Sequence, residues 1–120
     1  MIMLIRNVFI YICGALLLTA SHLSFAQNVR VFVHHNVADY KVWKKGYDDF
    51  APQQKKGGVY FQQVFQSVDN PNNVTVIHDF HSLEKAKAFF ESEELKATMK
   101  KIGSLGNAEI WYVHLDGSHK

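Results

Sequence analysis

The chain has 120 residues, with 13 Lys and Arg against 11 Asp and Glu, seven His and a single Cys. The charges are nearly balanced and form no long block, which excludes a nucleic-acid footprint. One cysteine excludes a disulfide framework and any multi-cysteine metal site.

Residues 1–26 read as a unit of their own. "MIMLIRN" carries one positive charge, "VFIYICGALLLTA" is apolar, and "SFA" puts small residues just before Gln27. This is the pattern of a secretory signal peptide. The apolar run from Val8 to Ala20 falls short of the ~20 residues a spanning helix needs. Cleavage is therefore expected, with a periplasmic or secreted product and no stable membrane insertion. Cys13 lies inside that run, so the exported product has no thiol for a nucleophile, a metal or a disulfide. A domain of this size without a staple draws its stability from a packed core or from a second chain.

"NVRVFVHH" (Asn28 to His35) alternates and is rich in β-branched residues, which predicts a first strand. Asp39 is a candidate N-cap for a helix whose aromatic stripe is Tyr40, Trp43, Tyr47 and Phe50. Pro52 kinks that helix or restarts it, and Gly57 and Gly58 end it. "VYFQQVFQS" (Val59 to Ser67) and "NVTVIHDFH" (Asn73 to His81) read as strands joined by the turn residues "DNPN". Ser82 caps a helix through Leu83, Ala86, Phe89 and Phe90, and Ser92 starts a second segment carrying Leu95, Met99 and Ile102. "GSLGN" reads as a loop, "AEIWYVHL" (Ala108 to Leu115) as the last strand, and 116–120 as a disordered tail.

The order strand, helix, strand, strand, helix, strand predicts an α+β fold of the ferredoxin-like βαββαβ type in one domain, 27–115. Right-handed crossovers place the first strand between the third and fourth, with the second at an edge. Both helices then cover one face of a four-stranded antiparallel sheet.

Alternation along the strands separates His78 from His81 and His34 from His35, so neither pair shares a metal ion and no metal site is expected. Matching the most apolar sets puts Val29, Val31, Val33, Phe61, Gln63, Phe65, Val74, Val76, His78, Phe80, Ile110 and Tyr112 under the helices. The other face collects Arg30, Phe32, His34, Tyr60, Gln62, Val64, Gln66, Ile77, Asp79, His81, Trp111, Val113 and Leu115, with an apolar middle and polar borders. That face is too apolar for a monomer to leave bare, which predicts a homodimer stacked sheet to sheet. Asp79 is expected to pair with Arg30. Gln63, His78 and Tyr112 form either a satisfied core network or the polar end of an aromatic-lined pocket. A void of ligand size beside His78 favours chemistry; a fully packed His78 favours binding or a scaffold.

The fragments "VADYKVWKKGYDDF" and "SLEKAKAFFESEELKATM", with the hairpin between them, resemble the antibiotic biosynthesis monooxygenase-like domains of the dimeric α+β barrel superfamily, from Val29 to Leu115. The resemblance implies a small-molecule cavity in each subunit between helices and sheet. It also implies a reaction of an electron-rich aromatic substrate with O2 that needs no cofactor. On it, His78 is the base, Tyr112 and Gln63 orient the substrate, and Trp43, Tyr47, Phe61 and Phe65 form the walls. Asn36 is carried over as a substrate-binding residue from a haem-degrading branch, whose iron-ligating histidine has no counterpart between Leu83 and Ile102. The alternative is a non-catalytic periplasmic small-molecule binding or scaffold protein.

Overall fold

A computed structural model describes residues 27–117. The signal peptide expected over 1–26, and 118–120 of the expected tail, lie outside the described residues. The elements are β1 (Val29–Val37), α1 (Tyr40–Asp49), α2 (Ala51–Lys56), β2 (Phe61–Gln66), β3 (Asn73–Phe80), α3 (Leu83–Phe90), α4 (Glu93–Lys101) and β4 (Ser104–Val113). The sheet is antiparallel in the order β2-β3-β1-β4. This is the predicted ferredoxin-like arrangement. No helix among the described residues is long and apolar enough to cross a membrane.

Local chemistry fixes the helix boundaries. The carboxylate of Asp39 accepts from the amide of Val42, and the hydroxyls of Ser82 and Ser92 accept from Lys85 and Leu95. Each cap satisfies a backbone donor left free by the first turn and is worth ~1 kcal/mol. Pro52 sits in the first turn of α2, so the helix restarts there rather than kinks. Asn72, in the β2–β3 turn, accepts from the amide of Tyr40 and ties the hairpin to the start of α1. Gly46 lets α1 approach the end of α4, because any Cβ there would collide with Ile102.

The core lies between helices and sheet. Val31, Val33, Val74 and Phe80 from the strands meet Trp43, Ala86 and Leu95 from the helices, all buried. Burying a side chain of this kind contributes ~1.5–3 kcal/mol, so this single layer supplies most of the drive to fold.

Two expectations about the strands need correction. β2 pairs with β3 as Phe61↔Asp79, Gln62↔His78 and Gln63↔Ile77, one residue away from the matching by apolarity. Gln62, Val64 and Gln66 therefore face the helices, while Phe61, Gln63 and Phe65 face away. The other correction concerns "GSLGN": only Gly103 is in a turn, and Ser104 to Asn107 are the start of β4. Between His34↔Glu109 and Asn36↔Leu105, β4 spends four residue steps where β1 spends two. The strand absorbs the excess as a bulge, at which Gly106 adopts φ +64, a conformation costly for other residues.

Candidate functional site

The inner face of β1 carries Val29, Val31, Val33 and then His35 in strict alternation. His35 is only 4% exposed. It lies opposite the bulge, where β4 offers no paired residue. Trp43 of α1 meets its ring edge-on at 5.5 Å. On β3, His78 is 3% exposed and faces the same helical layer. Both histidines, with Trp43, Tyr47, Gln54 and Phe89, line an internal cavity of about 30 Å³, room for about one water molecule.

The polar atoms of this layer are only partly satisfied. The Tyr47 hydroxyl lies 2.9 Å from His78 Nε2 and 3.3 Å from Gln62 Oε1, which makes a chain Gln62–Tyr47–His78. His78 Nδ1, both ring nitrogens of His35 and Gln54 Oε1 are buried with no partner. Each such atom costs ~1–3 kcal/mol in an apolar layer. Burial holds both histidines neutral: it lowers His35 to about 4, with His34 adding to the effect, and lowers His78 to about 4 against the opposing pull of Asp79. Burial also raises the Tyr47 phenol, which stays protonated.

The structure brings together three of the residues singled out from the sequence: His78, Trp43 and Tyr47. Tyr112 shares their face and sits one strand beyond Val31. However, the ring of Phe90 packs edge-on against both His78 and Tyr112, and Tyr112 instead lines a separate surface groove with Ser82, Lys87 and His114. Gln63 belongs to the opposite face, so the expected Gln63–His78–Tyr112 network is replaced by Gln62–Tyr47–His78. Phe61 and Phe65, expected as walls, are 39% and 48% exposed on that opposite face. Asn36 also turns away from the cavity and accepts a hydrogen bond from Asn73 at 2.8 Å. Its neighbour His35 is the inward residue. Extending the Val29, Val31, Val33 alternation by one more step reaches it.

On the outer face, Arg30 clasps Asp79 through two hydrogen bonds of 2.8 Å each, as expected, and its guanidinium lies over the Phe61 ring. His81 has parted from His78 and stacks on Tyr60.

A second space adjoins the cavity. Between α4 and β4 an open groove of about 490 Å³ runs past His35, Leu95 and Met99, residues that also wall the inner cavity. Ile110 faces the helical side yet is 36% exposed, because the helices stop short of β4. A larger groove beside α2, about 590 Å³, is lined by Lys56, Lys85 and Phe89 but holds none of the unpartnered polar atoms.

No protein-family model and no curated protein matches the chain. Solved structures do. A Bordetella bronchiseptica protein described as an antibiotic biosynthesis monooxygenase superposes with a TM-score of 0.65 at 12% identity, over 74% of this chain and 97% of that one. SnoaB, a cofactor-independent oxygenase from Streptomyces nogalater, gives 0.65 at 10% identity, over 78% and 97%. A Caulobacter crescentus protein, likewise described as an antibiotic biosynthesis monooxygenase, gives 0.62 at 19% identity, over 82% and 99%. At such identities the likeness is one of fold. The chain has the ferredoxin-like α+β fold of antibiotic biosynthesis monooxygenase-like proteins.

Proposed function

We propose that the chain is an exported homodimer that binds a small aromatic compound in the layer between its helices and its sheet. One observation carries this reading: four unpartnered polar atoms, on His35, Gln54 and His78, surround a single cavity whose other walls are aromatic and aliphatic. Buried polar atoms without partners are rare, and a shared cavity gives these a common purpose. Dimerisation is supported by the outer sheet face, where Phe61, Phe65, Trp111 and Val113 are all exposed. Export rests on the pattern of residues 1–26.

A second reading, a cofactor-independent monooxygenase acting on that ligand, is favoured by the Gln62–Tyr47–His78 chain. If Tyr47 donates to Gln62, His78 donates from Nε2 to Tyr47, and the lone pair on Nδ1 is left free as a base. Yet a base near 4 facing a phenol near 10 leaves a gap of roughly 8 kcal/mol, so only an acidified hydroxyl, or proton transfer coupled to oxidation, fits. The cavity beside His78 is also too small to admit an aromatic ring, whereas the adjoining groove of about 490 Å³ that shares His35 with it is not, so a ring seated there meets His35 without reaching His78. Binding therefore stands first.

The test combines two measurements on the purified protein. Native mass spectrometry after incubation with a set of small aromatics should show a stoichiometric complex; none forming would end the binding reading. Oxygen consumption with the bound compound should be the same in wild type and His78→Ala if the protein only binds. Loss of uptake in His78→Ala would establish the oxygenase reading instead.

A further inference from the structure

We infer that the groove between α4 and β4 is where the ligand is recognised, with His35 as its polar anchor, and that the ligand is a flat aromatic compound bearing a hydroxyl or carbonyl group at its inner end and an anionic group at its outer end. The inference rests on the binding reading above and gives it a place and a chemistry.

Four features of the groove point to this. His35 forms part of the wall of both the groove and the cavity, and both of its ring nitrogens are buried without a partner. A neutral imidazole offers one donor and one acceptor, which a hydroxyl can meet in either sense. The Ser104 hydroxyl, also in the groove wall, is a further buried atom without a partner. Phe90, Ala108 and Ile110 make the flanks apolar, as an aromatic ring requires. At the rim stand Lys96 and Lys100; Lys96 already leans toward Glu93 at 3.5 Å, so Lys100 is the cation to meet an outer carboxylate.

Leu95 and Met99 are the partition between groove and cavity. Met99 is unbranched and adaptable, so a ligand seated on His35 can press it aside and approach His78. Recognition at His35 and any chemistry at His78 are thereby separate events.

Isothermal titration calorimetry under anaerobic conditions tests this without turnover, using 6-hydroxy-2-naphthoate, 2-naphthoate and 2-naphthol as probes. His35→Phe should weaken 6-hydroxy-2-naphthoate by about tenfold while leaving 2-naphthoate unchanged, and should melt no lower than wild type. His35→Gln, which keeps a donor and an acceptor, should bind like wild type. Lys100→Ala should weaken both naphthoates and spare 2-naphthol. Ala108→Phe, which fills the groove, should abolish binding of all three. The inference is overturned if His35→Phe binds 6-hydroxy-2-naphthoate as well as wild type. It is also overturned if Ala108→Phe keeps its affinity, including the case where that variant only changes the oligomeric state because a second copy covers the groove. Binding that persists in His35→Phe leaves the binding function standing and removes only its location; no binding of any probe removes both.

Discussion

Nε2 of His78 and the hydroxyl of Tyr47 are 2.9 Å apart in a layer closed to water. The pair joins α1 to β3 among rings and aliphatic chains, with Gln62 Oε1 3.3 Å from the Tyr47 hydroxyl and the Gln54 side chain in the same wall. Removing one partner strands the other, and that asymmetry can be measured. Tyr47→Phe should lower the unfolding free energy by about 1–3 kcal/mol, read by urea denaturation with an unchanged m-value. The double variant Tyr47→Phe, His78→Phe should recover part of that loss. Strict additivity in this cycle would mean the hydrogen bond contributes nothing.

Stability should also depend on pH through both buried histidines. Their folded values of about 4 lie below the ordinary 6.5, so between those limits the unfolded chain binds more protons. The stabilisation is full above pH 6.5 and is lost as the pH falls toward 4, by on the order of 3 kcal/mol per ring. Urea midpoints at pH 7.5 and 4.5 measure the loss, and His35→Phe should remove about half of it. Imidazole NMR signals of His35 or His78 titrating near pH 6.5 would contradict the burial argument.

Arg30 and Asp79 are unequal partners. The Asp79 side chain is the more buried of the two and Arg30 the more exposed. Arg30→Ala leaves a shielded carboxylate uncompensated, whereas Asp79→Ala frees a guanidinium that can turn to water. Arg30→Ala should therefore be the more destabilising by about 1 kcal/mol, as judged by paired denaturation curves. The reverse order would show that Asp79 has other support.

Trp111, 51% exposed on the outer face of the edge strand β4, should carry much of the contact between two copies. Analytical ultracentrifugation should find a wild-type dimer and a Trp111→Glu monomer with an unchanged circular dichroism spectrum. A Trp111→Glu dimer would place the contact elsewhere.

The elements and their caps were legible in the sequence because they follow from local chemistry: Asp39, Ser82 and Ser92 cap where a short polar side chain precedes an apolar period, and Pro52 restarts a helix. Sheet order followed from chain order and handedness. Which side of β2 faces the helices was not legible. Alternation shows which residues share a face, and here both faces are apolar, so ranking by hydrophobicity chose Phe61 and Phe65 over Val64. Gln63 was lost to the site and Gln62 gained for the same reason. His35 was within reach of the alternation rule but stood beyond the run of valines, in a pair of histidines that read as a metal question. The bulge was hidden because glycine at 106 signals a turn as readily as a kink within a strand.

That bulge inserts an even surplus of residues in β4 relative to β1. Parity is preserved: Ser104 still points inward and Leu105 outward, as they would in an unbroken ladder. Pairs of residues can be added or deleted around Gly106 and Asn107 to widen or narrow the mouth above His35 without turning any neighbouring side chain inside out. A single-residue change there inverts the far end of the strand. The breadth of the rim is thus set by pairs of residues, independently of the sheet beneath it.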